Sequence, residues 1–264
     1  MRIEEITGTE YYDAENLIKE VFFSSGNRAL SSVLAKGYLE NLSAKGKTLK
    51  YLGAYEDGLL EAVIGYGDLY TIRYFAVRNG KENLAEPLFK ALVKRAEKEN
   101  AARITAYALS SERSFYESLG FDIIAESEEA AELEYLLQKE WLGKEVTVTI
   151  DRPYGSFHPH YPDTQYPCNY GYVEEVLAKD GEFQDAYVCG VYEPLETFRG
   201  IVRAIIYRRN DVETKWIVIS GKELSKKEVI DSVGEIEQYF DTRILWLEDR
   251  NGKNHKKNET KVRK

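Results

Sequence analysis

Methionine, histidine and cysteine are scarce: the 264 residues include one Met, three His and two Cys. The two cysteines, Cys168 and Cys189, do not form a metal-ligand pattern by themselves, and a reducing cytoplasm with both thiols free fits them. No run of about 18 apolar residues occurs, which predicts no membrane span. The opening Met-Arg-Ile-Glu-Glu-Ile lacks the apolar core of a signal peptide. A cytoplasmic location is therefore expected. Positive charge is also in deficit, with 36 Lys and Arg against 45 Asp and Glu and a net charge of −9. That argues against nucleic acid as the main partner, because such a binder must neutralise phosphates with Lys and Arg. The exception is the end of the chain, residues 249–264, rich in Lys and Asn and almost free of apolar side chains beyond residue 250. It reads as a basic disordered tail that keeps the protein soluble.

What is present suffices for two domains of ordinary size, each able to bury a core: 43% of residues are apolar and 31% charged. Tyrosine is abundant, 20 residues against 10 Phe. Most of these phenols are expected as half-buried strand residues, and some as polar contacts in sites. A homo-oligomer is compatible with this composition. No repeat relates the two halves.

The first half alternates strand and helix patterns. Strands are predicted at 2–6, 70–78, 103–109, 121–125 and 131–137, and a hairpin joins 49–55 to 59–66 around Glu56-Asp57-Gly58. Residues 11–23 carry Ala14, Leu17, Ile18 and Val21 at helical spacing, and 84–98 place Leu84, Leu88, Ala91, Leu92 and Ala96 on one face. A short helix over 111–119 ends at Gly120, a C-cap. Residues 138–144 read as a linker anchored by a tryptophan. Beyond it the pattern changes to short strands at 145–150, 186–191, 200–207 and 215–219, turn-rich sequence between the first two, and a late helix with Val229, Ile230, Val233 and Ile236 on one face. The expected fold is a two-domain α/β (α+β) chain: a mixed sheet with helices over 1–138, then a small OB-like β-barrel with a C-terminal helix over 143–248.

The chemistry concentrates in two neighbouring stretches, Tyr-Pro-Cys-Asn-Tyr-Gly-Tyr at 166–172 and Asp180-Gly181-Glu182-Phe183-Gln184-Asp185. Three acidic side chains within six residues, downstream of a tyrosine-rich turn, suit a divalent-metal site facing a phosphate. Mg²⁺ takes oxygen ligands and keeps several waters, so a few carboxylates suffice. Cys168, inside the turn, reads as a small buried thiol rather than a nucleophile.

Two resemblances rest on these motifs. Ser-Glu-Arg-Ser-Phe-Tyr-Glu-Ser-Leu-Gly-Phe at 111–121 resembles the closing helix–turn of the GNAT acetyltransferases, and the likeness spans most of residues 1–138. It implies a GNAT-like mixed sheet, acetyl-CoA as cofactor and an amine as acceptor. Tyr116 takes the place of the acid that protonates the leaving thiolate, and Asn83, Leu84 and Ala85 lie where a helix start holds the CoA pyrophosphate. The loop Gly80-Lys81-Glu82-Asn83-Leu84-Ala85 departs from that family's pattern: only its last position fits, Asn83 replaces a glycine, and Glu82 brings a negative charge to an anion loop.

Residues 143–248 resemble the family I inorganic pyrophosphatases. The tyrosine turn, the acidic signature with Glu182 in place of a middle Asp, their spacing, and Glu213-Thr214-Lys215 carry the likeness. It implies metal carboxylates at Asp151, Asp180, Glu182, Asp185, Asp211 and Glu213, with Glu182 as ligand or general base. Tyr170, Lys215 and Tyr239 are implied as phosphate contacts. Two metals close together would lower the pKa of a bridging water and screen the phosphate charge. The implied activity is Mg²⁺-dependent hydrolysis of pyrophosphate or a related diphosphate. Two alternatives stay open: an N-acetyltransferase with a non-catalytic second module, or metal and phosphate binding without turnover. Residues 155–165 contain no Lys or Arg where that family carries several; His158 and His160 stand there instead, and Phe240 follows Tyr239.

Overall fold

The computed structural model describes residues 1–24, 49–67, 69–158, 161–178, 180–209, 211, 213–221 and 224–249. His160 and the basic tail beyond Asp249 lie outside the described residues. The chain divides into two compact units. One comprises Met1–Lys98 and Arg103–Leu137; the other comprises Glu99–Ala102 and the described chain from Gln138 onward. No helix among the described residues is long and apolar enough to cross a membrane.

The first unit is a seven-stranded sheet in the order β1-β2-β3-β4-β5-β7-β6. Its strands are β1 (Arg2–Glu5), β2 (Lys50–Glu56), β3 (Leu59–Tyr66), β4 (Thr71–Val77), β5 (Arg103–Leu109), β6 (Asp122–Glu126) and β7 (Ala130–Leu136). The expected hairpin is there: Asp57 and Gly58 both take positive φ, as a two-residue turn between twisted strands requires. α1 (Tyr11–Ser24) buries Ala14, Leu17 and Ile18 against Tyr51, Tyr55, Val63 and Tyr74. α2 (Ala85–Lys98) buries the stripe Leu88, Phe89, Leu92, Val93 and Ala96, and its Pro87 sits in the first turn, where no helical N–H is lost. α3 (Arg113–Ser118) is short and ends at Gly120, whose φ is +93°. All neighbours are antiparallel except β4 and β5, which run parallel and pair at Thr71–Thr105 and Ile72–Ala106, the first residues of β4.

The second unit is a closed five-stranded barrel with a sixth strand on its edge. β14 pairs β12, β12 pairs β11, β11 pairs β8, β8 pairs β13, and β13 returns to β14. The barrel strands are β8 (Glu145–Arg152), β11 (Asn169–Leu177), β12 (Phe183–Cys189), β13 (Thr197–Arg208) and β14 (Thr214–Ile219); β9 (Phe157–His158) and β10 (Tyr161–Gln165) form a small hairpin. β13 can touch three partners because it is 12 residues long: its first part pairs β8, its last pairs both β14 and the edge strand β15 (Thr242–Trp246). α4 (Lys226–Glu237) starts at a Ser225–Glu228 capping box and covers one sheet face with Val229 and Val233. The helix is not the last element, since β15 follows it.

Three readings of the sequence change here. The tyrosine-rich stretch is not a turn beyond Cys168, because Asn169 begins β11. Residues 138–144 have the tryptophan anchor expected, Trp141 lying 4.9 Å from Trp216, but they are packed more fully than a linker, since Gln138 Oε1 accepts bonds from Thr214 Oγ1 and Trp216 Nε1. The acidic stretch is split, with Asp180 and Glu182 before β12 and Asp185 within it.

Gly171 sets the geometry of β11 against β8. A Cβ there would lie 1.9 Å from the Thr149 carbonyl oxygen and 2.8 Å from Ile150 Cα, both backbone atoms. Gly171→Ala is expected to destabilise the second unit by about 3 kcal/mol or more, since an extra carbon in a filled space forces the backbone apart. All three tryptophans, Trp141, Trp216 and Trp246, belong to this unit, so a urea melt followed by tryptophan emission reads it selectively. An unchanged midpoint would mean that β8 withdraws freely.

Candidate functional site

Strand alternation brings the chemistry to one face. Tyr170 pairs Tyr187 and Tyr172 pairs Asp185 across β11 and β12, so these four side chains point the same way. Tyr187 pairs Ile217 on β14, which places Lys215, two residues back, on that face too. Lys215 pairs Ile206 on β13, and Arg208 follows two residues later. This is the face that α4 covers, and the polar residues collect beyond the helix's last turn. Asp151 joins them through a β-bulge: Tyr170 opposes Arg152 and Gly171 opposes Ile150, leaving Asp151 the extra residue. A bulge re-aims its side chain, and the Gly171 approach makes room for it.

The centre of the site is an ion network. Arg208 donates from Nε and Nη2 to the two oxygens of Glu237, at 3.1 and 2.7 Å, and Glu237 is fully buried. The Tyr187 hydroxyl donates to the same carboxylate at 2.8 Å. Arg208 Nη1 also lies 3.7 Å from Asp211 and 3.6 Å from Glu213. The buried Lys215 ammonium bridges Asp185 and Glu213. Asp151 pairs with Arg152 at 2.6 Å.

Ionisation follows these contacts. Burial works against the Arg208 charge, yet Glu237 more than offsets it and the guanidinium is held more firmly protonated than usual. Burial pushes the Tyr170 phenol well up, helped by the charge of Asp185 and a hydrogen bond to it; burial and Glu237 do the same to Tyr187. Both phenols are therefore neutral hydrogen-bond donors. Burial also raises the Asp151 carboxyl, with Arg152 opposing and the nearby charge of Asp185 adding to the rise.

Asp151, Asp185, Asp211, Glu213 and Glu237 gather around Arg152, Arg208 and Lys215, so carboxylates and cations are interleaved along the network. No three Asp, Glu, His or Cys side chains among the described residues converge as a ready metal cage. Mg²⁺, however, commonly takes one or two carboxylates and completes its shell with water and substrate phosphate. Asp151, whose carboxyl feels the charge of Asp185, stands close enough to that residue for the two to fit this smaller role.

A cavity of about 550 Å³ opens beside the network. Arg208, Lys215 and Tyr187 are buried at its base, while Tyr161 and Tyr239 are exposed at its mouth. A ladder of rings descends between them: His158 stacks on Tyr166 at 5.9 Å, Tyr166 meets Tyr170 at 5.6 Å, and Tyr170 meets Tyr187 at 4.9 Å. Phe240 lies 3.6 Å beneath the Arg208 guanidinium, a cation–π contact.

The expected residues are thus only partly gathered. Tyr170, Lys215, Asp185, Glu213, Asp211 and Asp151 come together. Tyr239 is not in the helix but in the turn after it, at the cavity mouth. Asp180 and Glu182 stand in the exposed turn between β11 and β12, where Asp180 Oδ1 accepts the Glu182 N–H at 3.0 Å; neither forms an ion pair with the network among the described residues. Asn169, inside the tyrosine motif, is architectural: its Oδ1 accepts the N–H groups of Tyr154 and Leu195, and its Nδ2 donates to Val191 and Glu193. Cys168 is buried; a hydrogen bond with Cys189 and then burial push its thiol well up, so it is no nucleophile.

In the first unit, Tyr116 is 6% exposed and packs among Phe75, Phe115 and Phe121. Asn83 is exposed, Leu84 is buried in the core and Ala85 opens α2. The loop before that helix is already filled by its own anion. Glu82 Oε1 accepts the Gly80 N–H at 2.9 Å, and the carboxyl is held below its usual range by that bond and by one from its own N–H. The Lys81 and Leu84 amides go to the Arg78 and Lys81 carbonyls, and the Lys81 ammonium to Glu56 at 2.7 Å.

No family model matches this chain, and no curated protein matches it. Solved structures do. A probable acetyltransferase from Staphylococcus epidermidis matches at 18% identity and TM-score 0.42, over 52% of this chain and 99% of its own. PaiA N-acetyltransferase from Thermoplasma acidophilum, in complex with coenzyme A, matches at 15% identity and TM-score 0.43, over 52% and 99%. An inorganic pyrophosphatase from Ehrlichia chaffeensis matches at 15% identity and TM-score 0.32, over 41% and 90%. The chain is similar to GNAT acetyltransferases and to an inorganic pyrophosphatase. The first unit is a mixed sheet with helices, and the second unit is a closed five-stranded barrel.

Three members of the ion network, Arg152, Arg208 and Glu237, were not singled out in the sequence, although a signal existed for the last two. Glu237 continues the buried stripe Val229–Val233 at helical spacing, and Arg208 ends the apolar run Ile205-Ile206-Tyr207. A charge at the end of each buried pattern calls for the other. Arg208→Met is expected to cost about 3–5 kcal/mol, because it strands a buried carboxylate. Adding Glu237→Gln, which keeps an acceptor for Tyr187, should restore most of that in the tryptophan-monitored melt. A double variant as unstable as the single one would deny the pair its structural role.

Proposed function

We propose that the second unit carries out Mg²⁺-dependent hydrolysis of pyrophosphate or a related diphosphate in the cavity at the end of α4. The observation that supports this most directly is the pair of buried cations, Arg208 and Lys215, at the base of one cavity, with the Asp185 carboxylate against Lys215. A diphosphate arriving with a divalent cation would meet donors for its oxygens and a carboxylate for the metal in one place. Asp151 and Asp185 would hold the ion. Magnesium there would supply Lewis-acid charge to phosphate oxygens and a bound water of lowered pKa.

The protein's own groups define the rest. Lys215 and Arg208 present N–H donors toward phosphate oxygens, and each can exchange part of its carboxylate pairing for the ligand. Tyr170 stays protonated and holds Asp185 in place. The assay is phosphate release from pyrophosphate with Mg²⁺. Release is expected to stop on chelation and to fall at least about 100-fold in Asp185→Asn, more than loss of a residue that merely orients a ligand costs. Release equal in wild type and Asp185→Asn would sink the hydrolase reading for that substrate; tight metal and pyrophosphate binding without release would select a binding module instead.

Acetyl-CoA binding by the first unit is a second reading, favoured by the resemblance of residues 111–121 to the closing helix–turn of the GNAT acetyltransferases. Glu82 is its obstacle, since a carboxylate fills the loop meant for the CoA pyrophosphate. Calorimetry with acetyl-CoA should give weak heat for the wild type and about tenfold tighter binding for Glu82→Gly, the shift that about 1.4 kcal/mol of relieved repulsion produces. Absence of heat from both proteins at millimolar ligand would remove acetyl transfer from consideration.

A further inference from the structure

The cavity is larger and more aromatic than an inorganic diphosphate uses. Its volume of about 550 Å³ falls within the roughly 300–1,000 Å³ of sites that hold organic ligands. Pyrophosphate has no carbon, so it would engage the charged base and leave the ring-lined upper part empty. The two cations lie deep in the lining, and two of its rings stand open at the mouth. Lys215 is 4% and Arg208 6% exposed, whereas Tyr161 is 66% and Tyr239 72% exposed. These two tyrosines come from separate elements, the β10 strand and the turn after α4, yet both flank one opening. Tyr161 is also held against His158 at 4.9 Å, the ring that begins the ladder to the base. Exposed rings beside a charged hole are what a planar aromatic group attached to phosphate would meet first, and base–ring stacking tolerates any base because each has a π-face.

We propose that this cavity takes a nucleoside diphosphate, with the phosphates at Lys215 and Arg208 and the base stacked against Tyr161 and Tyr239 at the mouth. The inference rests on the phosphate reading above and names its substrate class. The base contributes affinity that inorganic pyrophosphate lacks, and the ring ladder gives the sugar an apolar wall.

Calorimetry in Mg²⁺ buffer with three probes, ADP, pyrophosphate and an isoprenyl diphosphate, tests it on wild type, Tyr161→Ala, Tyr239→Ala and Lys215→Met. ADP is expected to bind about tenfold more tightly than pyrophosphate. Tyr161→Ala should lose about tenfold for ADP and nothing for pyrophosphate, Tyr239→Ala should lose more for ADP than for pyrophosphate, and Lys215→Met should weaken both. The tyrosines are exposed, so these variants should melt like the wild type. Equal affinity for ADP and pyrophosphate, or tyrosine variants without effect on ADP, would overturn the nucleotide assignment and leave the phosphate reading standing. An isoprenyl diphosphate that binds as tightly as ADP would overturn it too, by showing that the mouth selects apolar surface and not a base. No binding of any probe would overturn both readings together.

Discussion

A guanidinium buried against a carboxylate holds the functional end of the second unit together. Arg208 ends the longest barrel strand and Glu237 ends α4, so their bidentate contact fixes where the helix stops relative to the sheet. The same carboxylate receives the Tyr187 hydroxyl, and the same guanidinium covers the Phe240 ring. Floor, wall and rim of the cavity therefore share one anchor. Two charges leave water only when each finds full compensation in the interior, and that requirement ties the chemistry of the site to the packing of α4.

Around this anchor the charges are arranged in a chain rather than in isolated pairs. Glu213 lies between Arg208 and Lys215, and Asp185 between Lys215 and Tyr170. Such a chain polarises along its length, and a ligand that enters at one point alters the partners at the next. The bulge at Asp151 adds a carboxylate to its end without lengthening any loop. Beside it, β8 and β11 approach closely enough at Gly171 that no side chain fits.

Much of this fold was legible in the sequence. Apolar stripes disclosed α1, α2 and α4, strict alternation disclosed β8, and Asp57-Gly58 disclosed the first hairpin with its two positive φ values. β11 was not legible, because Tyr-Pro-Cys-Asn-Tyr-Gly-Tyr has the composition of a turn; tertiary pairing on both sides makes a strand of it. Edge strand β15 was hidden for a similar reason, since five residues after a helix carry too little periodicity. Asp185 stood out in the acidic stretch and Lys215 through the pyrophosphatase resemblance, and strand register brings both to one face. Asp180 and Glu182, equally prominent in sequence, lie outside the network because the β11–β12 turn leaves them in solvent. Proximity along the chain placed three acids together; the strand boundary at Phe183 separates them.

The Glu82 carboxylate has a consequence that geometry alone understates. An anion tethered two residues from the amide it occupies is a competitor that never diffuses away, and a short tether corresponds to an effective concentration of order millimolar or more. Any external anion must outbid that local concentration before it reaches the Gly80 N–H. The loop thus behaves as though it were permanently incubated with an inhibitor. One side chain keeps an amide occupied that an external anion would otherwise have to itself.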